Sequence, residues 1–274
     1  MKTGDDIRYF KDFNSFNQSL YSNFPDPSLG YMDNTTGSDM FDVLKKFLKN
    51  TVSLCGSTVV IAAKRYPNEV EIEDLISNLQ KNHVFVYIIA SDTQSGGSNP
   101  SAMFNLATRT NGYCVFSARS YLDEMYSDAS SLALLPNQIA ASKFSVSGKG
   151  RQTVPIIEVS PLGSDYGVEF EIVFQDHKVD GSLISLNFTL TDEFGNEYPY
   201  AGSSYVAFFF IFCCQIKLFF HFGYTGFQNF FFAENATQYY LNIDYEYQEG
   251  RQEVMVVRIY CGNNIPNNWL PFNN

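Results

Sequence analysis

The sequence predicts a partial doubly wound parallel sheet, an α/β unit over residues 1–140, followed by an antiparallel β-sandwich over residues 150–274. Three observations carry this expectation. Short apolar runs at Ser57–Ala63, Val84–Ala90 and Tyr113–Phe116 alternate with amphipathic helical stretches, the pattern of strands covered on both faces. Beyond about residue 150 the helical periodicity stops and regularly spaced strand patterns separated by turn residues take over. Between the two, Pro136 and the run Ser145–Gly150 have the composition of a linker.

Residues 1 to about 30 carry only weak signals. Ile7–Phe10 suits a short strand, and Phe13, Phe16, Leu20 and Tyr21 fall near helical spacing before Pro25 and Pro27. The next helix, Ser38 to Asn50, is better specified. Ser38 can cap it, Asp39 and Asp42 lie near its start, and Lys45, Lys46 and Lys49 lie near its end, as the helix dipole favours. Met40, Phe41, Leu44, Phe47 and Leu48 make its apolar face.

Ser57–Ala63 reads as a buried strand. The helix after Pro67 has Asn68 and Glu71 at capping-box spacing and a stripe of Ile72, Leu75, Ile76 and Leu79. The following helix has Asn99 as its cap, Pro100 at its first position and Asn111-Gly112 as a left-handed stop. A further helix is predicted over Ser120–Ser127. In the β half, Thr153–Val159 contains Pro155 and suits an edge strand. Val168–Phe174 and Leu183–Leu190 alternate, with a turn at Gly195-Asn196. Tyr239–Tyr247 and Val254–Tyr260 flank a Glu249-Gly250 turn and read as a hairpin.

The Phe-rich run 205–222 fits no periodicity. Its apolar core is about half of the roughly 20 residues that a membrane helix needs, and Gln215 and Lys217 interrupt it. A buried or edge strand is the preferred reading. Sequence foreign to the native product and a membrane anchor are the alternatives.

The net charge of −11 and the lack of a basic block exclude nucleic acid and argue against an anionic membrane as partner. The N-terminal Met1–Asp6 is polar and lacks the apolar core of a secretory signal. Cys55, Cys114, Cys213, Cys214 and Cys261 show no metal or redox spacing. Asn17, Asn34, Asn187 and Asn235 stand in sequons and are candidate glycosylation sites. Gly96-Gly97 lacks the spacing of a nucleotide cradle, no nucleophile elbow occurs, and His83, His177 and His221 stand in unrelated contexts. Asp176, Asp180, Asp192 and Glu193 read as solvated turn acids rather than a calcium site. No catalytic residues, metal ligands or cofactor are therefore predicted.

Several of these elements together resemble one family. Ser57–Ala63, the helix with Glu73–Gln80, Val84–Ala90, the stretch Met103–Gly112 and Tyr113–Phe116 are similar to the C-terminal part of a von Willebrand factor type A domain. With the β-rich segment, the chain resembles nematode-type extracellular proteins that join such a domain to a β-sandwich. The resemblance implies a non-catalytic adhesion or protein-binding module, extracellular or at the cell surface, whose partner is a protein engaged through loops. It also implies that the family's first strands are missing, which would leave the sheet without its central members.

Family members often hold a divalent cation with Asp-x-Ser-x-Ser, a loop Thr and a later Asp. Here the first motif is absent. Thr35 or Thr36 falls where the loop Thr would be, and Ala62–Arg65 puts two cations where a carboxylate is expected. The resemblance thus implies a fold without a working metal site. Thr35, Thr36 and Asp92, the last following the strand Val84–Ala90, are the candidate ligand-loop residues. The alternative functions are a surface protein tethered to a membrane through 205–222, which is not favoured, and an enzyme built on the doubly wound sheet.

Overall fold

The structure is a computed structural model. It describes residues 8–22, 30–49, 55–117, 137–157, 168–174, 182–200, 217–221, 224–228, 238–248, 250, 252–261, 270 and 272. The predicted helix at 120–127, the Phe-rich residues 205–216 and 230–232, and Asn235 lie outside them.

The first half runs α1 (Phe13–Ser22), α2 (Met40–Leu48), β1 (Thr58–Ala63), α3 (Glu73–Lys81), β2 (Phe85–Ser91), α4 (Pro100–Arg109) and β3 (Cys114–Ser117). The three strands form one parallel sheet in the order β1-β2-β3, with Val59 opposite Val86 and Ile88 opposite Cys114. The parallel pairing is as predicted. β2 is central and almost wholly buried, packed among Met40, Phe41 and Leu44 of α2, Leu75, Ile76 and Leu79 of α3, and Met103, Phe104 and Leu106 of α4.

Two local expectations are corrected. β1 is not a buried strand: alternate residues are exposed, with Val60 45 % accessible. It lies at the sheet's edge, and among the described residues only β2 pairs with it. The capping box at Asn68 and Glu71 does not form. Helix α3 starts later, with Ile72 at its N-cap, because Asn68 binds neighbouring loops instead. The left-handed stop predicted at Asn111-Gly112 ends α4, and Asn111 supplies it (φ 57°). Gly112 is needed for another reason: a Cβ there would collide with the carbonyl oxygen of Val86. The predicted cap Asn99 acts, accepting the Ala102 N–H at 3.2 Å. The N-cap of α2 is Asp39 rather than Ser38, whose Oγ still accepts the Met40 N–H at 3.2 Å from one residue further out.

The second half is antiparallel throughout. Its strands are β4 (Asn137–Ser147), β5 (Lys149–Ile157), β6 (Val168–Phe174), β7 (Leu183–Asp192), β8 (Glu197–Tyr200), β9 (Lys217–His221), β10 (Tyr224–Gln228), β11 (Gln238–Tyr247) and β12 (Gln252–Cys261). They form two sheets, β4-β12-β6-β10-β9 and β5-β11-β7-β8. β5 is an edge strand, as Pro155 predicts. Part of the Phe-rich run, residues 217–221, is strand β9.

The linker expected at 145–150 is instead the tight passage from β4 to β5 at Gly148, whose φ is +56°. The hairpin expected between β11 and β12 is also absent. The chain turns at Gly250 (φ +83°) but changes sheet there, so β11 pairs with β5 and β7 while β12 pairs with β4 and β6. The physical reason lies in β12, which is covered on both faces. Met255, Val257 and Ile259 join a core with Leu186 and Leu190 of β7 and Leu241 and Ile243 of β11. Val254, Val256 and Tyr260 join the cluster of the α/β half. Asp192, read as a solvated acid, is buried. Its carboxylate accepts the N–H groups of Phe194 (2.9 Å) and Asn196 (2.8 Å) and shapes the β7–β8 turn.

Arg258 lies on the inward face of β12 and is 2 % accessible. Its Nε donates to the carbonyls of Asn111 (3.0 Å) and Gly112 (2.9 Å), and Nη2 to that of Thr108 (2.9 Å). Nη1 donates to Ser142 and Val257, both at 3.0 Å. The first three acceptors lie at the C-terminal end of α4, where carbonyls lack helical partners and the dipole is negative. Beside it, Gln138 donates to the Asn111 carbonyl at 2.7 Å, and the hydroxyls of Tyr87 and Tyr260 are 3.2 Å apart. Arg258→Met should cost about 3–5 kcal/mol by taking its donors away from these buried carbonyls. Arg258→Lys should fall between, since an ammonium cannot fork. Urea unfolding checks this, and a loss for Arg258→Met below about 1 kcal/mol would show that the guanidinium is not the join.

Candidate functional site

Three loops meet at the C-terminal end of the parallel sheet, the end at which such sheets bind ligands. They are residues 30–39 before α2, 64–72 after β1 and 91–99 after β2. Backbone bonds lace them together. Ser38 N–H donates to Tyr66 (2.8 Å), Tyr66 to Gly96 (2.9 Å), Ser95 to Lys64 (2.8 Å) and Asn99 to Pro67 (3.0 Å). Asn68 adds side-chain links, donating to the Thr35 carbonyl (2.9 Å) and accepting from Ser98 Oγ (3.2 Å). Gly97 holds φ +79°, and a Cβ there would strike the Tyr66 carbonyl oxygen, so only glycine fits. Beneath the loops the buried Tyr66 hydroxyl donates to Ser91 O at 2.8 Å, and burial pushes its pKa well up.

The first loop is folded around two charges. The Asp33 carboxylate accepts the Thr36 N–H (2.5 Å), the Thr35 N–H (2.8 Å) and both threonine hydroxyls (2.9 Å each). These bonds, the Thr36 N–H foremost, hold its pKa well below the usual carboxylate range. Arg65 reaches in from the second loop. It donates to the carbonyls of Thr36 (2.7 Å), Tyr31 (2.8 Å) and Asp33 (2.7 Å). Its guanidinium carbon also lies 5.3 Å from the centre of the Tyr31 ring.

Of the predicted ligand residues, Thr35 and Thr36 come together, but their hydroxyls are spent on Asp33. Asp92 sits on the third loop and accepts from its neighbour Thr93 at 3.0 Å. Among the described residues no group of three His, Cys, Asp or Glu could hold a metal ion. Lys64 is exposed, whereas Arg65 is an organising centre, a role the sequence reading missed. The Asp33-x-Thr-Thr spacing was the available signal for the loop itself, since aspartate there bonds the backbone two and three residues on. What the loops present to solvent is apolar as well as acidic: Met32 is 96 % accessible, Val70 73 %, and Tyr31 is exposed.

The sequon residues Asn34 and Asn187 are exposed, on the first loop and on β7, while Asn17 is half-buried on α1. Cys55 is an exposed free thiol. Cys114 is buried and free, and burial raises its pKa.

Residues 142–262, a little under half of the 274-residue chain, match a family described as a domain of unknown function, DUF7154. The match begins within β4 and ends just after β12. It therefore spans the antiparallel sheets and leaves out the three loops. Among curated proteins, none matches the chain.

Arg65→Ala should free the first loop while leaving the sheet intact. Hydrogen exchange at Thr35 and Thr36 should quicken at least tenfold, with a stability loss of about 1–2 kcal/mol; unchanged exchange would show that the loop is held otherwise. The Asp33 network has a defined pH sense. A carboxylate with a depressed folded pKa contributes stability above the unfolded value, 3.8, and loses it as the pH falls through the folded one. The loop's exchange protection should thus persist at pH 4 and be lost in Asp33→Asn at every pH. Protection that collapsed in the wild type between pH 5 and 4 would contradict this. Titration of Mg²⁺ or Mn²⁺ into the full chain should give no saturable heat, and a micromolar site abolished by changing Thr35, Thr36 or Asp92 would overturn that expectation.

Proposed function

We propose that this chain is a non-catalytic protein-binding module, a von Willebrand factor type A-like unit joined near residue 140 to a β-sandwich, working outside the cell or at its surface. The sandwich assignment rests on the single core that both antiparallel sheets line. The binding surface is the set of three loops, and it needs no metal ion. One observation carries this reading: Arg65 gathers three carbonyls of the first loop and so fixes it in place while Tyr31 and Met32 stay in water. A loop that is ordered before its partner arrives loses less entropy on binding. The loops also carry Asp33, Asp39, Glu69, Glu71 and Asp92 against Lys64 and Arg65, which favours a partner with a basic rim. The membrane-tethered alternative gains little, since residues 217–221 pair as a strand with β10 and no helix among the described residues is long and apolar enough to cross a membrane.

The test is binding of purified extracellular proteins to the immobilised full chain. At least one should bind with micromolar affinity or better, insensitively to EDTA. The double substitution Tyr31→Ala, Met32→Ala should weaken it at least tenfold without changing thermal unfolding. Binding that required Mg²⁺, or that ignored the loop substitutions, would remove the reading.

A further inference from the structure

The first loop carries a chemical group that the proposed binding surface does not use. Asn34 opens the triplet Asn34-Thr35-Thr36, a glycosylation acceptor. The fold sets it apart from the other described sequon residues. An acceptor of this kind belongs on a surface loop. Asn17 is half-buried within α1, and Asn187 lies inside β7, opposite Asp244 of β11. Asn34 is in a loop and is exposed. Its neighbours turn away from it. The Asp33 carboxylate takes the N–H and hydroxyl groups of Thr35 and Thr36, and Arg65 takes the carbonyls of Tyr31, Asp33 and Thr36. Among the described residues no hydrogen bond engages the Asn34 side-chain amide. A group attached there therefore springs from a backbone held on both sides. It also springs from beside the proposed anchor. Asn34 is two residues from Met32, so their Cα atoms are at most about 7.6 Å apart, and Met32 is almost fully exposed.

We propose that Asn34 carries an N-linked glycan and that this glycan covers the loop surface, so that the modified chain is closed to a protein partner and the bare chain is open. The covering role rests on the reading of these loops as the binding surface. In the modification, Asn34 Nδ2 gives up one proton and bonds the anomeric carbon of an oligosaccharide carried on a lipid pyrophosphate. The carbon–oxygen bond to that carrier breaks, and the pyrophosphate leaves with its electron pair. The loop also sets the timing. In the folded chain the Thr36 hydroxyl of the triplet is bonded to Asp33 at 2.9 Å, so a transferase meets an open triplet before the loop closes. Once closed, the loop holds the sugar chain beside Tyr31 and Met32. A glycan is bulky and keeps its water, whereas an apolar anchor contributes to binding only when the partner excludes water around it. The glycan therefore acts on the step that desolvates Met32.

The test makes the full chain twice, in insect cells behind a cleavable secretory signal and, bare, in bacteria. Glycopeptide mass spectrometry of all the insect-cell product, secreted and retained, should find Asn34 glycosylated in more than half of the molecules. Covering is read with a Fab fragment raised against the bacterial chain and chosen because the double substitution Tyr31→Ala, Met32→Ala removes its binding. This Fab should bind the glycosylated chain at least about tenfold more weakly than the bacterial one. For Asn34→Gln, the insect-cell and bacterial products should bind it alike. Asn34 occupied in less than half of the molecules would overturn the inference, as would a Fab that binds the two wild-type chains within about tenfold of each other. A Fab that separates the two Asn34→Gln products as strongly as the wild-type pair would do so too, because another sequon would then be responsible. Neither readout uses a natural partner, so failure to find one bears on the proposed function and not on the glycan.

Discussion

The guanidinium of Arg258 is the contact on which the arrangement of the two halves turns. It sits in a dry seam and donates to carbonyls from three separate places: the turn 108–112, β4, and its own strand. Burying such a charge is costly unless its donors are met. Here they are met by dipoles that the fold has already oriented, because the end of α4 presents carbonyls that no helical N–H can reach. The bond set is reciprocal, since the carbonyls of Thr108, Asn111 and Gly112 gain donors in return, with Gln138 adding a second at Asn111. Gly112 is part of the same construction. Its lack of a side chain lets the turn lie against Val86, so the backbone that receives Arg258 is also the backbone that enters β3.

This seam also shows why some of the fold was legible in the sequence and some was not. The parallel strands could be read because each run is short, apolar and followed by a helix with a clear stripe, and the crossovers leave little freedom of order. β1 was read as buried because its composition is apolar, but composition does not say whether a neighbour exists on the outer side. The β11–β12 pair failed for a related reason. A glycine turn between two alternating runs looks the same whether the strands pair or whether the chain passes to another sheet. The one clue was Arg258 within Val254–Tyr260: an arginine amid apolar residues that do not alternate marks a strand with two buried faces. The same ambiguity at Gly148 made a strand-to-strand passage resemble a linker.

The candidate site was legible in outline only. Thr35 and Thr36 were reached by resemblance and Asp92 by its place after a strand, and the loops do meet where the sheet's strands end. The side chains that organise them, Asp33 and Arg65, were not singled out for that role, and the reason is chemical. Both act on backbone atoms, and a carbonyl or an N–H leaves no mark in a sequence. Arg65 could be seen only as a charge that would repel a metal ion. The structure shows it collecting three carbonyls, a task that suits an arginine because its planar fork offers several N–H groups at fixed angles.

Arg65 and Arg258 thus solve one problem in two places. The chain has 29 carboxylates against 18 cations, so arginines with carboxylate partners would be easy to supply, as Arg151 with Asp244 and Arg109 with Glu73 show. Those pairs join side chains of neighbouring elements, each with at least one exposed member, and fix little beyond themselves. A guanidinium that binds several carbonyls fixes backbone, and it does so where regular secondary structure cannot, in a loop and at a helix end. Among the described residues it appears at two positions where segments distant in sequence meet. At Arg65 this holds the first loop in place while Tyr31 and Met32 stay exposed. At Arg258 it joins the antiparallel sheets to the end of α4, the segment that leads into the parallel sheet's third strand.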